Sequence, residues 1–255
     1  MEASRVREAQ QEDARGLGRG LRRVASEGAL ELWRTARGEF WIPAGGVAAL
    51  TWDLAEQDRD IYGRAPDGVR SGDVVLDCGA NIGLFTRKAL AAGAGLVVAI
   101  EPGPENVACL RKNFAREIEA GRVIVYPKGV WNAEMTLTFH VDPANSAADS
   151  FVVRRSSDKV IEIPVTTIDR LARELNLARV DFIKMDIEGS ERQALEGAAA
   201  TLRNDRPRMA ISAYHLADDP VKLPTVVEAA RSGYQVRCHC YEQDSGTGPE
   251  VMQFY

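Results

Sequence analysis

The sequence predicts an α/β fold: a mainly parallel sheet with helices on both faces and an antiparallel last strand. From Asp73 onward, short apolar runs alternate with stretches of helical spacing, the pattern of strand–helix–strand units. Right-handed crossovers in such units place successive strands in parallel. The last two strand-like runs, YQVRCHCY and EVMQFY, are separated only by EQDSGTGP, which is too short for a parallel crossover. The chain is therefore expected to end in an antiparallel pair.

Length and composition limit the class of protein. The 255 residues are 45% hydrophobic, enough for one large α/β domain with a small appendage. The net charge of −5 disfavours a general nucleic-acid surface. No segment approaches the roughly 20 apolar residues that cross a bilayer, and the charged N-terminus is not a secretory signal. We expect a cytoplasmic protein that acts on a small molecule, without nucleic-acid or membrane partners, and a homodimer is one possible assembly.

Residues 1–68 are predicted to form an N-terminal helical appendage, separate from a main domain over residues 69–255. The prediction depends on helical spacing around LRRVASEGALELWRTA, which is followed by a turn signal in IPAGG. We expect part of this segment to cover a binding pocket as a lid that excludes water. Simple packing against the sheet is the alternative. The segment is rich in aromatic residues, namely Trp33, Phe40, Trp41, Trp52 and Tyr62.

The main domain begins with alternating strands and helices. DVVLDCGANIG is an apolar strand that enters a glycine turn, and LFTRKALAAGA has helical spacing with a glycine stop. The next strand is GLVVAIEP, the next helix PENVACLRKNFAREI, and the third strand RVIVYPKGV. MTLTFHV and KVIEIPVTTI alternate as half-buried antiparallel strands do, so residues 132–166 are predicted to form a small β insertion.

The strand–helix alternation resumes after TTIDRLARELNL. VDFIKMDIEGSE contains a strand and is followed by a helix, the strand RMAISAYH and the helix PTVVEAARSG. In open α/β sheets, ligands bind outside the carboxyl ends of the strands. The binding site is therefore expected where these strands end.

The turn DCGANIG is the first candidate binding element. Its glycines, Gly79 and Gly83, fail the dinucleotide fingerprint because Asn81 and Leu84 occupy the places of the second and third glycines. Backbone N–H groups under a helix N-terminus can bind a carboxylate, and Asp77 can bind an ammonium group. S-Adenosylmethionine carries both groups at one end, so it is the predicted cofactor.

Glu101 ends the next strand, about where a carboxylate that binds a ribose diol is expected, some 20 residues on. The alternative is that Asp77 and Glu101 only cap helices. Residues 129–131, which end the third strand, would lie near the adenine, although Trp131 is equally consistent with a core aromatic. The predicted cofactor-binding residues are Asp77, Gly79, Ala80, Asn81, Gly83, Glu101, Pro102, Gly129, Val130, Trp131 and Asp186.

Together these segments resemble one known family. The chain is similar to the FkbM-type S-adenosylmethionine-dependent methyltransferases over roughly residues 70–215, in VVLDCGANIGLFT, AIEPGPEN, VTTIDRL, DFIKMDIEGSERQALEGA and ISAYH. The resemblance implies a class I methyltransferase fold with a Rossmann-like sheet of seven strands. It also implies, most often, O-methylation of hydroxyls in sugar-like or polyketide molecules. The sequence departs from the family pattern at Cys78, where an aliphatic residue is commoner.

The stretch DFIKMDIEGSE begins as a buried strand and ends in carboxylates, which such a strand excludes until its exposed end. Asp186 could contact the methionyl end, accept a proton or hold a cation. Lys184 lies on the same side of the strand and could pair with it. Glu188 and Glu191 share a face if the turn is helical, and His215 after the next strand is a candidate general base. A turn that merely caps the next helix is the alternative.

The predicted catalytic residues are thus Asp186, His215, Glu188 and Lys184. Mg²⁺ is a possible second cofactor, because Asp186, His215, Asp218 and Asp219 could supply ligands to it.

The leading functional hypothesis is an O-methyltransferase that acts on a small-molecule acceptor. One alternative is an N-methyltransferase with a small polar acceptor. The other is a cofactor-binding regulator or scaffold without catalysis. A product methylated on nitrogen would identify the first alternative, and tight cofactor binding without turnover the second.

Overall fold

The computed structural model describes residues 11–63, 66–142, 147, 149–154, 156, 159–243 and 246–255. A helix at residues 11–18 (α1) precedes three antiparallel strands, β1 (Arg22–Glu27), β2 (Leu30–Thr35) and β3 (Gly38–Pro43), and helix α2 (Val47–Asp58).

The prediction of a helical appendage is therefore wrong for residues 22–43, and residues 1–10 lie outside the described residues. Gly28 and Gly38 turn the chain between the strands with φ of +59° and +111°. Every residue of β1 is exposed, so this strand lacks the alternation that distinguishes a strand from a helix in the sequence.

The central sheet contains seven strands, β4 (Val74–Cys78), β5 (Leu96–Ile100), β6 (Val123–Tyr126), β10 (Phe182–Met185), β11 (Arg208–Ser212), β12 (Val236–Gln243) and β13 (Gly246–Phe254). Their order across the sheet is β12-β13-β11-β10-β4-β5-β6. Strand β13 runs antiparallel to both of its neighbours, and the other pairs are parallel. This confirms the predicted mainly parallel sheet of seven strands with an antiparallel last strand.

Helices cover both faces of the sheet. They are α3 (Leu84–Ala91), α4 (Pro104–Asn113), α5 (Ala115–Glu119), α6 (Ile168–Glu174), α7 (Glu191–Glu196), α8 (Ala199–Asp205) and α9 (Asp219–Ala230). Successive strand residues point to opposite faces, so Leu76 joins one buried apolar cluster and Val75 the other. A third cluster contains Phe40 of β3 together with Ile82 and Cys109, so the N-terminal sheet shares a core with the main domain.

The predicted β insertion is confirmed as a small sheet of β7 (Gly129–Val130), β8 (Met135–Val141) and β9 (Lys159–Thr166). Strands β8 and β9 are antiparallel, and β7 pairs in parallel with β9. Through β7, this sheet follows directly from the end of β6. Within the described ranges, no helix is both long and apolar enough to span a bilayer.

Candidate active site

Two adjoining cavities lie at the carboxyl ends of β4, β5 and β10. The Glu101 cavity is lined by Glu101 and its neighbours and comprises about 500 Å³ of space, and the Asp53 cavity is bordered by Asp53 of α2 and comprises about 840 Å³; both are partly open to solvent. The residues that line both cavities are Gly79, Asn81, Ala147, Asp186 and Glu188.

The turn after β4 brings three strand ends together. Gly79 has φ of +76°, and the amides of Gly79 and Ala80 both donate to the carbonyl of Ile100 at 3.0 Å. A Cβ at position 79 would overlap the carbonyl oxygen of Asp186, so only glycine fits here. The turn therefore joins the ends of β4, β5 and β10, because its backbone contacts those of Ile100 and Asp186. This junction lies at the border of the two cavities.

The end of the turn starts helix α3. Gly83 is the residue before the helix and has φ of +95°. A Cβ there would overlap the buried ring of Phe114, so the glycine is required by packing as well as by its backbone conformation. Gly83 does not line either cavity. Its contribution to the site is to connect the turn to the start of α3.

Glu101, at the end of β5, is the main polar group of the Glu101 cavity. Its Oε2 accepts from the backbone N–H of Asn81 and its Oε1 from that of Gly103, both at 2.8 Å. Burial raises the pKa of Glu101, and the two backbone hydrogen bonds oppose that rise. The carboxylate is thus oriented by two amides while it faces the cavity.

The other walls of the Glu101 cavity are mostly apolar. Phe139 and Phe151 come from the β insertion, where their ring centroids are 4.6 Å apart. Burial raises the pKa of Asp149 to about 8, which favours its protonated form at neutral pH. Pro102, Gly129 and Val130, which the sequence assigns to cofactor binding, also line this cavity, and that assignment stays a prediction.

Besides Gly83, two more of the predicted cofactor contacts, Asp77 and Trp131, do not reach either cavity. Asp77 is fully buried below the turn, where its Oδ2 accepts from the Thr86 hydroxyl at 2.6 Å and its Oδ1 lies 3.3 Å from Lys184 Nζ. Trp131 packs its ring against Phe151 instead, with ring centroids 6.4 Å apart. Because Asp77 is buried below the turn and the half-buried Trp131 packs on Phe151, we interpret both residues as supports of the site.

Lys184 of β10 pairs with Asp77 and not, as predicted, with Asp186. Its Nζ also donates to the carbonyl of Gly79 at 2.7 Å and lies 5.3 Å from the ring centroid of Tyr62. Burial disfavours the positive charge of Lys184 and lowers its pKa, but the carboxylates of Asp77 and Asp186 stabilise that charge. Their effect is larger than that of burial, so the pKa of Lys184 is raised. The amine is therefore a fixed positive charge beneath the glycine turn.

Three carboxylates surround the imidazole of His215. Nε2 lies 3.4 Å from Asp186 Oδ1 and 3.3 Å from Glu188 Oε1, and Nδ1 lies 3.0 Å from Glu191 Oε1. Strand β11 ends at Ser212, so His215 belongs to the following loop and not to the strand end. Glu188 has φ of +53° in a turn, and helix α7 begins only at Glu191, so the two are not on one helix face.

This arrangement argues against His215 as the general base. The side chain is only 4% exposed and borders neither cavity. Burial disfavours its charge, but the surrounding carboxylates outweigh burial and raise the pKa of His215 well above its usual range. A raised pKa favours the imidazolium form, which cannot accept a further proton.

The acids that follow His215 do not join this cluster. Asp218 and Asp219 are both held by Arg192, whose Nε donates to Asp219 Oδ1 at 2.8 Å. The predicted magnesium ligand set of Asp186, His215, Asp218 and Asp219 is therefore wrong, because Arg192 neutralises the last two.

Two acids of α2 in the site are absent from the residues predicted from the sequence. Asp53 and Glu56 are three residues apart on one helix face and line the Asp53 cavity. Burial, with Asp186 nearby, raises the pKa of Asp53 to about 7, and burial raises that of Glu56 to about 8. Asp53 Oδ2 lies 3.4 Å from Asn81 Nδ2. Their spacing in TWDLAEQD was the available signal, but it does not show which surface the helix faces.

Aromatic residues of the N-terminal segment also reach this cavity. Trp52 Nε1 donates to Glu56 Oε1 at 2.8 Å, and the Tyr62 hydroxyl donates to Asp186 Oδ2 at 2.7 Å. Tyr214, from the loop after β11, lines the same cavity. The N-terminal segment and the main domain thus build the Asp53 cavity together.

Comparisons with known proteins agree with this architecture. Residues 77–236 match the family described as the methyltransferase FkbM domain. The chain is 30% identical over 157 residues to 31-O-demethyl-FK506 methyltransferase FkbM of Streptomyces tacrolimicus, which covers 51% of this chain and 60% of that protein. It is 23% identical over 179 residues to hexuronic acid methyltransferase AglP of Haloferax volcanii, which covers 70% of this chain and 71% of that protein.

Among solved structures, methyltransferase FkbM of Methylobacillus flagellatus KT superimposes with a TM-score of 0.54 at 23% identity. The superposition covers 100% of this chain and 60% of that one, and it shows the shared fold. The match to this structure and the match to the Streptomyces relative thus each span 60% of the other protein's length.

Proposed function

Because this chain belongs to the methyltransferase FkbM domain family, we propose that it transfers a methyl group from S-adenosylmethionine to a hydroxyl oxygen of a small molecule. The observation that carries the proposal is the oriented carboxylate of Glu101, which faces a cavity beside the glycine turn. The Streptomyces relative acts, by its name, on an O-demethyl compound, which supports an oxygen acceptor here.

The residues of the Glu101 cavity fit this cofactor. A carboxylate matches a ribose diol, and the paired phenylalanines offer apolar surface to a flat ring. Gly79 lines the cavity border with its backbone, because no side chain fits beside the Asp186 carbonyl, and Asn81 of the same turn also lines the cavity. Glu101, Gly79, Asn81, Phe139 and Phe151 would hold the cofactor. When bound, it would supply a methyl group activated by a sulfonium charge.

The Asp53 cavity would hold the acceptor. Methyl transfer is an in-line displacement, so alignment of the acceptor oxygen supplies much of the rate. Asp53 is the candidate base, because it borders the cavity and its pKa of about 7 leaves much of it ionised at neutral pH. Helix α2 and Tyr62 would cover the acceptor, which gives the N-terminal segment the role of a wall that excludes water.

A second candidate function is N-methylation of an amine. Next to the Lys184 amine, four acidic side chains line the Asp53 cavity, and those that are ionised favour an acceptor that carries positive charge. These residues are Asp53, Glu56, Asp186 and Glu188. An amine acceptor would be recognised by this wall in its ammonium form, and it would have to give a proton to a base such as Asp53 before its nitrogen lone pair could accept the methyl group.

Calorimetry with S-adenosylmethionine and S-adenosylhomocysteine tests cofactor binding first. We expect one site per chain, and no binding at millimolar ligand would refute the proposal. Transfer of an isotopically labelled methyl group to a panel of hexuronic acids, macrolides and amines, followed by NMR of the product, then identifies the acceptor atom. Binding without transfer to any acceptor would favour a regulator or scaffold. A cytoplasmic location, a homodimer and a domain boundary at residue 68 stay predictions.

A further inference from the structure

We propose that Asp186, Glu188 and His215 form a binding site for one divalent transition-metal cation at the border of the two cavities. One ligand atom from each residue lies within 4.8 Å of the other two. Asp186 follows β10, Glu188 lies in the strained turn after it, and His215 comes from the loop after β11. Neighbouring strands of the sheet thus bring the three residues together.

The distances between the donor atoms already fit a metal. Zinc and similar ions bind nitrogen and oxygen at about 2.1 Å, which puts adjacent ligand atoms about 3.0 Å apart in an octahedron and about 3.4 Å apart in a tetrahedron. His215 Nε2 lies 3.4 Å from Asp186 Oδ1 and 3.3 Å from Glu188 Oε1. Little movement would be needed for these atoms to share a cation.

The imidazole provides a second, independent observation. The His215 side chain is more than nine-tenths buried, and within the described part of the chain neither of its nitrogens makes a hydrogen bond of regular geometry. Asp186 Oδ1 is likewise buried and, within the described residues, accepts no hydrogen bond of regular geometry. Buried polar atoms are normally satisfied, because leaving one without a partner costs about 1–3 kcal/mol. A cation between Nε2 and the two carboxylates would satisfy Nε2 and Asp186 Oδ1.

Glu191 completes the arrangement from behind. Its Oε1 lies 3.0 Å from His215 Nδ1 and also accepts from the backbone N–H of Ile187 at 2.9 Å. Histidines that bind metals usually direct their second ring nitrogen at a carboxylate or carbonyl, which fixes the ring and its tautomer. Glu191 is therefore a positioning residue that turns Nε2 toward Asp186 and Glu188.

The donor set favours a transition metal over Mg²⁺. One imidazole nitrogen with two carboxylate oxygens suits Mn²⁺, Fe²⁺ or Zn²⁺, whereas Mg²⁺ prefers oxygen ligands and water. Asp186 and Glu188 also line both cavities, so a cation held there would be accessible to a bound molecule. If the proposed methyltransferase function holds, the cation would bind the acceptor hydroxyl and lower its pKa.

A proton is the competing occupant, since a protonated imidazole between two carboxylates would give similar distances. Titration of the chelator-treated full chain with MnCl₂, ZnCl₂ and MgCl₂, without cofactor or acceptor, separates the two. We expect one Mn²⁺ or Zn²⁺ per chain, bound at least 10-fold more tightly than Mg²⁺, with loss of the free Mn²⁺ signal in electron paramagnetic resonance. Absence of Mn²⁺ and Zn²⁺ binding to the parent chain up to millimolar concentration would overturn the proposal in favour of the proton.

Two variants localise the site. Glu188→Gln, at a partly exposed position, and His215→Gln should each weaken Zn²⁺ binding by about 10- to 100-fold, whereas the matched control Asp218→Asn should leave it unchanged. Affinity that none of these substitutions alters would place the metal elsewhere and contradict the assignment. Cofactor calorimetry in the presence of chelator tests the proposed function separately, so either proposal can fail without the other.

Discussion

Replacement of Glu101 by glutamine keeps the shape of the side chain and changes only its hydrogen bonding. In the parent, each carboxylate oxygen accepts one backbone N–H, from Asn81 and from Gly103, at 2.8 Å. An amide has a single acceptor oxygen, and its NH₂ group would face the second backbone donor. One of the two N–H groups therefore loses its partner in a site that is 5% exposed.

The size of the effect follows from these two bonds. A buried donor left without an acceptor costs about 1–3 kcal/mol, which should appear as reduced stability of the Glu101→Gln variant without ligand. The neutral amide also loses the charge-assisted hydrogen bonds that a carboxylate makes to a diol. If that loss is again about 1–3 kcal/mol, the dissociation constant for S-adenosylhomocysteine rises about 5- to 150-fold.

Urea denaturation measures the first effect and calorimetry the second. Glu119→Gln is the matched control, because Glu119 is exposed at the end of α5, and we expect it to change neither quantity. A folded Glu101→Gln variant whose affinity stays within twofold of the parent would refute the assignment of Glu101 to the ribose.

Three further outcomes follow from the structure. Gly83→Ala should lose about 2–5 kcal/mol of unfolding free energy in urea, since φ is +95° and the methyl group would overlap Phe114; a loss under 1 kcal/mol would contradict this packing. For Glu56→Gln, the free energy of unfolding measured relative to the parent should increase as pH rises from about 4.5 to about 8. The increase should be at most about 1.4 kcal/mol per pH unit. The sign follows because the folded carboxyl keeps its proton up to about pH 8 while the unfolded one loses it near 4.5, so parallel stability curves would disprove the raised pKa. Asp53→Asn should reduce turnover by about 10²- to 10⁴-fold and abolish a rise in rate through pH 7, with cofactor affinity retained; unchanged turnover would exclude Asp53 as the base.

The glycine turn and the carboxylate after β5 were predictable because both are local. Gly79 and Glu101 stand at fixed positions relative to strands whose apolar runs are plain in the sequence, and the structure places both on the Glu101 cavity. Asp77 stands in the same motif, yet it turns inward to Lys184 and Thr86. Sequence spacing indicates that a residue ends a strand, but it does not determine which side of the turn its side chain occupies.

The pocket formed by the N-terminal segment could not be predicted in this way. Asp53 and Glu56 have raised pKa values only because α2 buries them beside Asp186, more than 120 residues away in the chain. The hairpins at residues 22–43 were missed because short amphipathic runs are consistent with either helix or strand, and an exposed β1 removes the alternation that separates them.

The sequence by itself determined the α/β class, the antiparallel last strand, the β insertion and the family, since each depends on local periodicity, loop length or a contiguous motif. Only the tertiary structure decided which carboxylates meet. Parallel pairing of β10 with β11 brings the carboxyl ends of these strands together, so His215 is surrounded by Asp186, Glu188 and Glu191. The nearby Asp218 and Asp219 pair with Arg192 instead. The protonation and ligand-binding properties of these groups depend on distances of 3 to 4 Å between residues remote in sequence, and folding alone sets those distances.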